Sequence, residues 1–377
     1  MACSANIKNR SARPLAIACF LPSKYCCAPL ETLAWYVCVI MLLSLVLFFL
    51  SAIIIYLSCE YFVNGIEWLG QRLNLGTTAV GSVLAAFGTA LPECAVTFFA
   101  VVMGTTPETK DLGVGAAMGG PLVLATLAYG IVGIVHYLHN KKRNPSSFII
   151  RANIKELSKD QLTFLAIFIV KVSLGLIAFS FKPWLGILFL VAYAVYVWRE
   201  IKNSKNEINN DDDDSLEPLK LQPKSTNPHQ LMILLQVIIS LVVIAGATHL
   251  FIAQLETLST IFAIPPHIVA LLLSPIATEL PEIMNALIWV RQGKERLALA
   301  NISGSMMIQA TLPSALGIFF TPWLFDGPLL ASGIITALAI VYLLFVFRSQ
   351  KVDSRLLIIS SGFYLLFISL LVSYFHF

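Results

Sequence analysis

The sequence predicts an all-α polytopic membrane protein, about ten transmembrane helices arranged as two inverted five-helix repeats. Three observations carry this prediction. The 377-residue chain is 58% hydrophobic and only 12% charged, against about 45–50% and about 25% in ordinary soluble domains. Its apolar residues gather in runs long enough to cross a hydrocarbon core, which takes about 20 helical residues. The motif Thr-x-Leu-Pro-Glu occurs twice, ending at Glu93 and at Glu282.

The runs can be taken in order. Thr32–Cys59, Leu73–Pro92 and Leu112–Val135 contain no charged residue. Two further spans fit at 161–181 and 183–198, the first of them enclosing Lys171. In the second half, 230–255 contains only His249 and 257–278 only His267. Leu297–Phe325, Gly327–Phe347 and Leu356–Tyr374 are again free of charge. Such continuous runs, without alternation, exclude a membrane β-barrel. The mean hydropathy of +0.81 agrees.

Ten spans put both termini on one side. That side carries six Lys and Arg (Lys8, Arg10, Arg13, Lys24, Lys110 and Lys182), against eighteen in the connections of the other side. The positive-inside rule therefore places the termini outside and the 201–229 connection inside. The domain plan is an N-terminal tail at 1–32, a first repeat at 33–200, an acidic cytoplasmic linker at 201–229 and a second repeat at 230–377. The linker holds Asp211 to Asp214 and several Lys, and it is too short to fold alone.

The net charge of +4 is too small to suggest nucleic acid as a partner. The seven Cys, all within the first 94 residues, show no metal or redox spacing. Cys38, Cys59 and Cys94 read as small buried hydrophobes. The expected surroundings are the lipid bilayer and inorganic cations, with no obligate protein partner and no cofactor. The expected location is a plasma (inner) membrane.

Ala86-Phe-Gly-Thr-Ala-Leu-Pro-Glu93 matches Pro275-Ile-Ala-Thr-Glu-Leu-Pro-Glu282 at an offset of 189 residues. Downstream, Gly115–Gly120 answers Ala300–Ser305, with four extra residues in the first connecting loop. An odd number of spans per half forces the second half to be inverted. Inverted repeats with helices broken at corresponding places mark secondary transporters and point to their binding site.

The chemistry at these places is that of oxygen ligands. An ionised carboxylate within an apolar span is costly and signals function. Pro92 and Pro281 each lack an N–H and free carbonyls in the preceding turn. Thr89 lies four residues before Glu93, and Thr278 four before Glu282, so each hydroxyl shares a helix face with its carboxylate. All-oxygen sets suit hard cations such as Ca²⁺, which takes about 6–8 oxygens. Glu279 adds a carboxylate that the first repeat, with Ala90, lacks. Asn301, Ser305 and Gln309 form a polar stripe where the first half has Ala116, Gly120 and Leu124. The small Ala116 and Gly120 also permit close helix packing. Lys171 is a possible partner for a buried carboxylate, and Glu60, Glu67, His249 and Glu256 read as interfacial.

At these residues the chain resembles the cation/calcium antiporter superfamily, which includes the sodium/calcium exchangers. That family has two inverted repeats, each with a Gly-Thr-Ser-x-Pro-Glu/Asp core and a later Gly-Asn-x-x-Gly-Ser-Asn. The resemblance covers residues 40–377. It implies Ca²⁺ and Na⁺ sites at the midplane, with Glu93 and Glu282 as acidic ligands. It also implies Thr89 and Thr278 as oxygen donors, and Ser305 and Gln309 at polar ligand positions. Three family residues, Asn, Ser and Asn, become Ala116, Gly120 and Pro121, and a polar ligand one turn on becomes Leu124. Loss of neutral oxygens and gain of Glu279 favour a protonatable site, since clustered buried carboxylates hold protons more readily.

The resulting expectation is a secondary-active antiporter exchanging Ca²⁺ for Na⁺ or H⁺ by alternating access. The alternatives are a proton-coupled divalent cation exchanger and a cation-sensing membrane protein that moves nothing. An enzyme is not expected, because no His-Glu-x-x-His or Gly-x-Ser-x-Gly is present.

Overall fold

The computed structural model describes residues 30–72, 77–143, 148–150, 154–207, 217–225, 227–349 and 351–375. Side chains at 30–34, 70–71, 77–89, 140–143, 200–207 and 297 lie outside the described set, as do nearly all of the 1–32 tail and the Asp211–Asp214 run. The helices, in chain order, are α1 (Leu30–Arg72), α2 (Thr77–Val102), α3 (Pro107–Val123), α4 (Tyr129–Arg143), α5 (Ile154–Leu176) and α6 (Gly186–Glu207). They continue with α7 (Gln230–Phe262), α8 (Pro266–Thr278), α9 (Leu280–Arg291), α10 (Glu295–Phe320), α11 (Gly327–Arg348) and α12 (Ser354–Phe375). A π-helical turn at Leu124–Ala128 joins α3 to α4, and α8 meets α9 at a break, so the described segments make ten crossings.

The contacts repeat across the two halves. α2 packs on α10 and, in the inverted counterpart, α8 packs on α3. α6 lies against α10, as α12 lies against the α3–α4 unit. α1 runs along α7, and α5 along α11, each pair mapping onto itself under the exchange of repeats. One apolar core joins α4, α5, α10, α11 and α12. A second joins α1, α2, α7 and α8 around Phe48, Phe251 and Leu255. Phe48 and Phe251 stack with centroids 4.7 Å apart.

The outward faces of α1, α5, α6, α7 and α12 are covered with exposed Leu, Ile, Val and Phe, and the centre holds buried Ser, Thr, Gln and Glu. That inversion of a soluble protein's pattern is what lipid requires, because only side chains without hydrogen-bonding groups can face hydrocarbon cheaply. Cys38 differs from expectation: it is exposed on this outer face, whereas Cys59 is buried and Cys94 half-buried.

Connections on each side contact one another as the alternating topology demands. Lys110 reaches the Phe320 carbonyl, and Lys182 the Trp323 carbonyl, at one face. At the other, Ile149 and Ile150 form a short antiparallel ribbon with Asp353 and Val352. There too, Asn64 and Trp68 of α1 donate to the Glu217 carbonyl. Lys220 bonds Glu60 at 2.9 Å, which fixes Glu60 near the helix end.

Several boundaries move. Charge-free counting ends the second span at Pro92 and the seventh at Thr278, but the observed helices carry their carboxylates inside and run on to Val102 and Arg291. α6 continues to Glu207, into the stretch read as linker. Pro92 also does not interrupt α2. In the second repeat the break is real: Glu279 adopts φ −93, ψ −7 between α8 and α9. Pro275 and Pro281 stand on either side of it, and Pro281 has no N–H for the Ala277 carbonyl.

α3 and α8 cross very closely. A Cβ on Gly115 would lie 2.0 Å from the His267 carbonyl oxygen, and one on Gly119 2.5 Å from that of Leu271. Gly115 and Gly119, four residues apart, thus form the small-residue face that lets the repeats approach. Ala116, of which close packing was also expected, is buried in the cluster that includes Val269 and Ala270 of α8, while Gly120 faces Gln309 and Glu279.

Candidate functional site: buried carboxylates at the repeat interface

Glu93, Glu279 and Glu282 are each at most 1% exposed. They come from both repeats and stand where α2, α3, α8, α9 and α10 converge. Thr278 Oγ1 lies 2.7 Å from Glu93 Oε2, 3.1 Å from the Ser274 carbonyl and 3.3 Å from Glu279 Oε1. A hydroxyl has one proton to donate, and the shortest contact gives it to Glu93. Thr278 thus bridges the two repeats.

Glu279 sits at the helix break, where its side chain leaves the α8 axis. Gln309 Nε2 donates to both of its carboxylate oxygens at 2.8 Å. The space for this pair is made by Gly120: a Cβ there would meet Gln309 Oε1 at 2.6 Å and Glu279 Oε1 at 3.2 Å. The missing side chain of the first repeat is filled by long polar ones from the second.

Glu282 lies in the first turn of α9. Its charge acts on Tyr56 and Cys59 of α1 and on Cys94 of α2. Glu93 and Glu279 repel each other directly. Two like charges about 5 Å apart cost ~3 kcal/mol at an effective dielectric of about 20. Full ionisation of this cluster therefore calls for a cation; without one, a proton relieves the repulsion.

Three oxygens at the site, Glu93 Oε1, Gln309 Oε1 and Ser274 Oγ, are buried with no hydrogen-bond partner among the described residues. Thr97 Oγ1, one turn beyond Glu93, is another. Buried polar atoms are nearly always satisfied, so such a gathering needs an explanation. Among the described residues, no three His, Cys, Asp or Glu side chains stand close enough to hold one metal ion together. Thr278 links Glu93 to Glu279, and the three carboxylates form no closed cage.

Of the other sequence-predicted residues, Ser305 is wholly buried on α10, one turn before Gln309. Asn301 is two turns, about 12 Å, from Gln309 along the same helix, and no described contact joins it to the carboxylates. The Thr89 side chain lies outside the described residues. Ser274 and Thr97 escaped the sequence reading. Ser274 could have been found as the residue one turn before Thr278, and Thr97 as the one after Glu93.

Lys171 is 0% exposed. Its Nζ donates to the Ala117 carbonyl at 2.7 Å, on the α3 stretch that also carries Gly120. It is thus neither snorkelling nor in direct contact with a carboxylate.

Known proteins share this architecture. An uncharacterized membrane protein of Methanocaldococcus jannaschii is 24% identical over 72% of this chain and 80% of its own length. The crystal structure of the H⁺/Ca²⁺ exchanger CAX superposes with a TM-score of 0.64 at 18% identity, covering 87% of this chain and 82% of that one. The sodium-calcium exchanger NCX_Mj superposes with a TM-score of 0.54 at 20% identity, covering 87% and 99%. Both structural likenesses speak to the fold. Residues 43–202 and 232–374 match the sodium/calcium exchanger protein family, which takes in both repeats and every carboxylate described above, and the chain belongs to that family.

Proposed function

We propose that this protein is a secondary-active antiporter that exchanges Ca²⁺ for Na⁺ or H⁺ across a plasma (inner) membrane. Glu93, Glu279 and Glu282 are the charged ligands, and Thr278, Ser305 and Gln309 supply neutral oxygens. Thr89 and Asn301 complete the candidate set. The observation that carries this reading is the three buried carboxylates at the repeat interface, with unpartnered acceptor oxygens beside them. Acceptors without donors suit a cation, and oxygen suits a hard one.

Binding Ca²⁺ requires Gln309 to release its donor from Glu279. Rotation of the amide presents Oε1 instead of Nε2, turning a stand-in for positive charge into a ligand. Competition between the divalent ion and monovalent cations for the same carboxylates enforces exchange. Alternating access then calls for the α1–α7 pair to slide along the apolar core that it shares with α2 and α8.

The test is Ca²⁺ flux into proteoliposomes under an imposed Na⁺ gradient and, separately, an imposed pH gradient. Flux that Glu93→Gln and Glu282→Gln both abolish supports the reading. Absence of flux under either gradient overturns it in favour of a protein that senses cations without moving them.

A second reading, H⁺ as the counter-ion, is favoured by one contact. Glu279 and Gln309 take up the space beside Gly120, so a carboxylate occupies a region where sodium-coupled relatives are expected to offer neutral oxygens. Flux under the pH gradient alone would select it.

A further inference from the structure

A Ser or Thr inside a helix can return its proton to the carbonyl one turn back. Thr126, Ser240, Thr311 and Thr336 do so here. Thr97, Thr248 and Ser274 do not. Each is wholly or almost wholly buried, and each hydroxyl is without a hydrogen-bond partner among the described residues. A buried hydroxyl left unpaired is costly, so three of them around one approach to the carboxylates point to a ligand.

Their placement follows from the helices. Thr278 of α8 donates to Glu93 of α2 at 2.7 Å, which joins the two helices at that point. From there α2 runs toward the face where Lys110 meets the Phe320 carbonyl, and α8 arrives from that same face. One turn that way along α2 stands Thr97, and one turn that way along α8 stands Ser274, each about 6 Å along its own helix. Thr248 lies on α7, two turns before the Glu256 that accepts from Thr109 at the same face. Its helix neighbours Ala247 and Phe251 share an apolar core with Val96 and Ala100 of α2. The 189-residue offset between the repeats gives these positions counterparts on the opposite approach: Ala286 for Thr97, Ala85 for Ser274 and Cys59 for Thr248. None of the three carries a hydroxyl, so the feature is one-sided.

We propose that Thr97, Ser274 and Thr248 form a second cation site, an antechamber on the Lys110 side of Glu93, where a hard cation exchanges part of its water for hydroxyl oxygens before it meets the carboxylates. This deepens the antiporter reading above and rests on it. Neutral oxygens suit a hard cation without holding it as carboxylates do, so the ion can pass on. Thr97 and Ser274 sit on the helices that carry the central site, and Thr248 on the α1–α7 pair. Sliding of that pair therefore adds or withdraws one oxygen. The antechamber belongs to one access state, and the two faces load their cations with different affinity.

The experiment uses the full chain in right-side-out and in everted membrane vesicles, so that each face meets Ca²⁺ in turn. The driving gradient is whichever of Na⁺ or H⁺ moves Ca²⁺ in the wild type. An impermeant maleimide identifies the Lys110 face, read as the label that Lys110→Cys gains over the wild type. The quantity measured is the half-saturating Ca²⁺ concentration at each face. Thr97→Val, Ser274→Ala and Thr248→Val remove one hydroxyl each with little change of shape. Each should raise that concentration about tenfold at the Lys110 face, the loss of one oxygen contact to a charged ligand, and leave the opposite face as in the wild type. Thr97→Ser keeps the oxygen and the wild-type values. Unchanged values at both faces overturn the proposal, and a gain in thermal stability beside them would mark the hydroxyls as unpaired core groups. An equal rise at both faces overturns it as well, because the residues would then act through the central site. Absence of wild-type flux under either gradient is a different failure, that of the antiporter reading itself.

Discussion

In the first repeat, α2 runs unbroken past Pro92 and Glu93, and the facing stretch of α3 and its π-helical turn offers Ala116, Gly120 and Leu124. In the second repeat, the chain breaks at Glu279, and the facing stretch of α10 offers Asn301, Ser305 and Gln309. The two halves share one motif and one set of helix contacts, yet nearly all the polar side chains come from the second. The difference is compensated in space. Gly120 removes a side chain where Gln309 and Glu279 need room, and Thr278 lends its hydroxyl to the carboxylate of the other repeat. Duplication followed by divergence can therefore keep a two-sided site while moving its oxygens to one side, provided the helices still meet.

Four groups of substitutions break or sharpen this comparison. The largest effect is expected at the residues the repeats share. Glu93→Gln and Glu282→Gln should each reduce Ca²⁺ flux by about 100-fold or more, since loss even of outer partners costs ion sites 10–100-fold. Flux that survives one change and not the other would show that the repeats have ceased to be equivalent even here.

Next comes the crossing that brings the halves together. Gly115→Ala drives a Cβ to 2.0 Å from the His267 carbonyl oxygen, and backbone on both sides leaves little room to yield. A loss of ~3 kcal/mol in unfolding free energy is expected in detergent. Gly246→Ala, on α7 with nothing within 4 Å of the added methyl, is the control and should stabilise by about 0.5–1 kcal/mol. Equal behaviour of the two would sink the close-packing argument.

The exchange of volume between repeats is tested by Gly120→Ala. Its methyl meets Gln309 Oε1 at 2.6 Å, and a side-chain amide can give way, so the expected loss of flux is roughly tenfold, the equivalent of a little over 1 kcal/mol. Adding Gln309→Ser should restore much of it. Independent, additive effects of the two changes would separate the residues. Within the same contact, Glu279→Ala should flatten the pH dependence of transport; an unchanged profile removes H⁺ from the mechanism.

The smallest effect lies outside the core. Asp326 caps α11 by accepting from the Leu329 N–H and bonds His267 at 2.8 Å. Burial alone would raise its pKa, but those hydrogen bonds outweigh it and hold the carboxyl below its ordinary value. Because the folded value lies below the unfolded one, the stabilisation is present at neutral pH and fades as pH falls through the folded value. Asp326→Ala should cost about 1 kcal/mol at neutral pH and less in acid, with flux close to wild type. Thermal unfolding across pH measures it.

Much of this was legible without coordinates. Hydropathy alone counts ten crossings, because a run of about 20 apolar residues has only one use. The repeated Thr-x-Leu-Pro-Glu locates Glu93 and Glu282, because a carboxylate in an apolar span is too costly to be incidental. The extra Glu279 and the stripe from Asn301 to Gln309 stand out by having no counterparts in the first half. Span ends were less legible, since a count that stops at charge must stop at the very residues that matter.

Tertiary structure alone decided the rest. Whether Pro92 or Pro281 breaks its helix depends on what packs around each, not on proline itself. That Gly120 faces Gln309, that Thr278 serves Glu93, and that Gly115 and Gly119 come up against the α8 backbone are contacts between segments far apart in the chain, invisible to any local pattern. Lys171 is the sharpest case. Its sequence neighbours reveal only a lysine in an apolar helix. The free carbonyl that holds it is made by a proline in another helix.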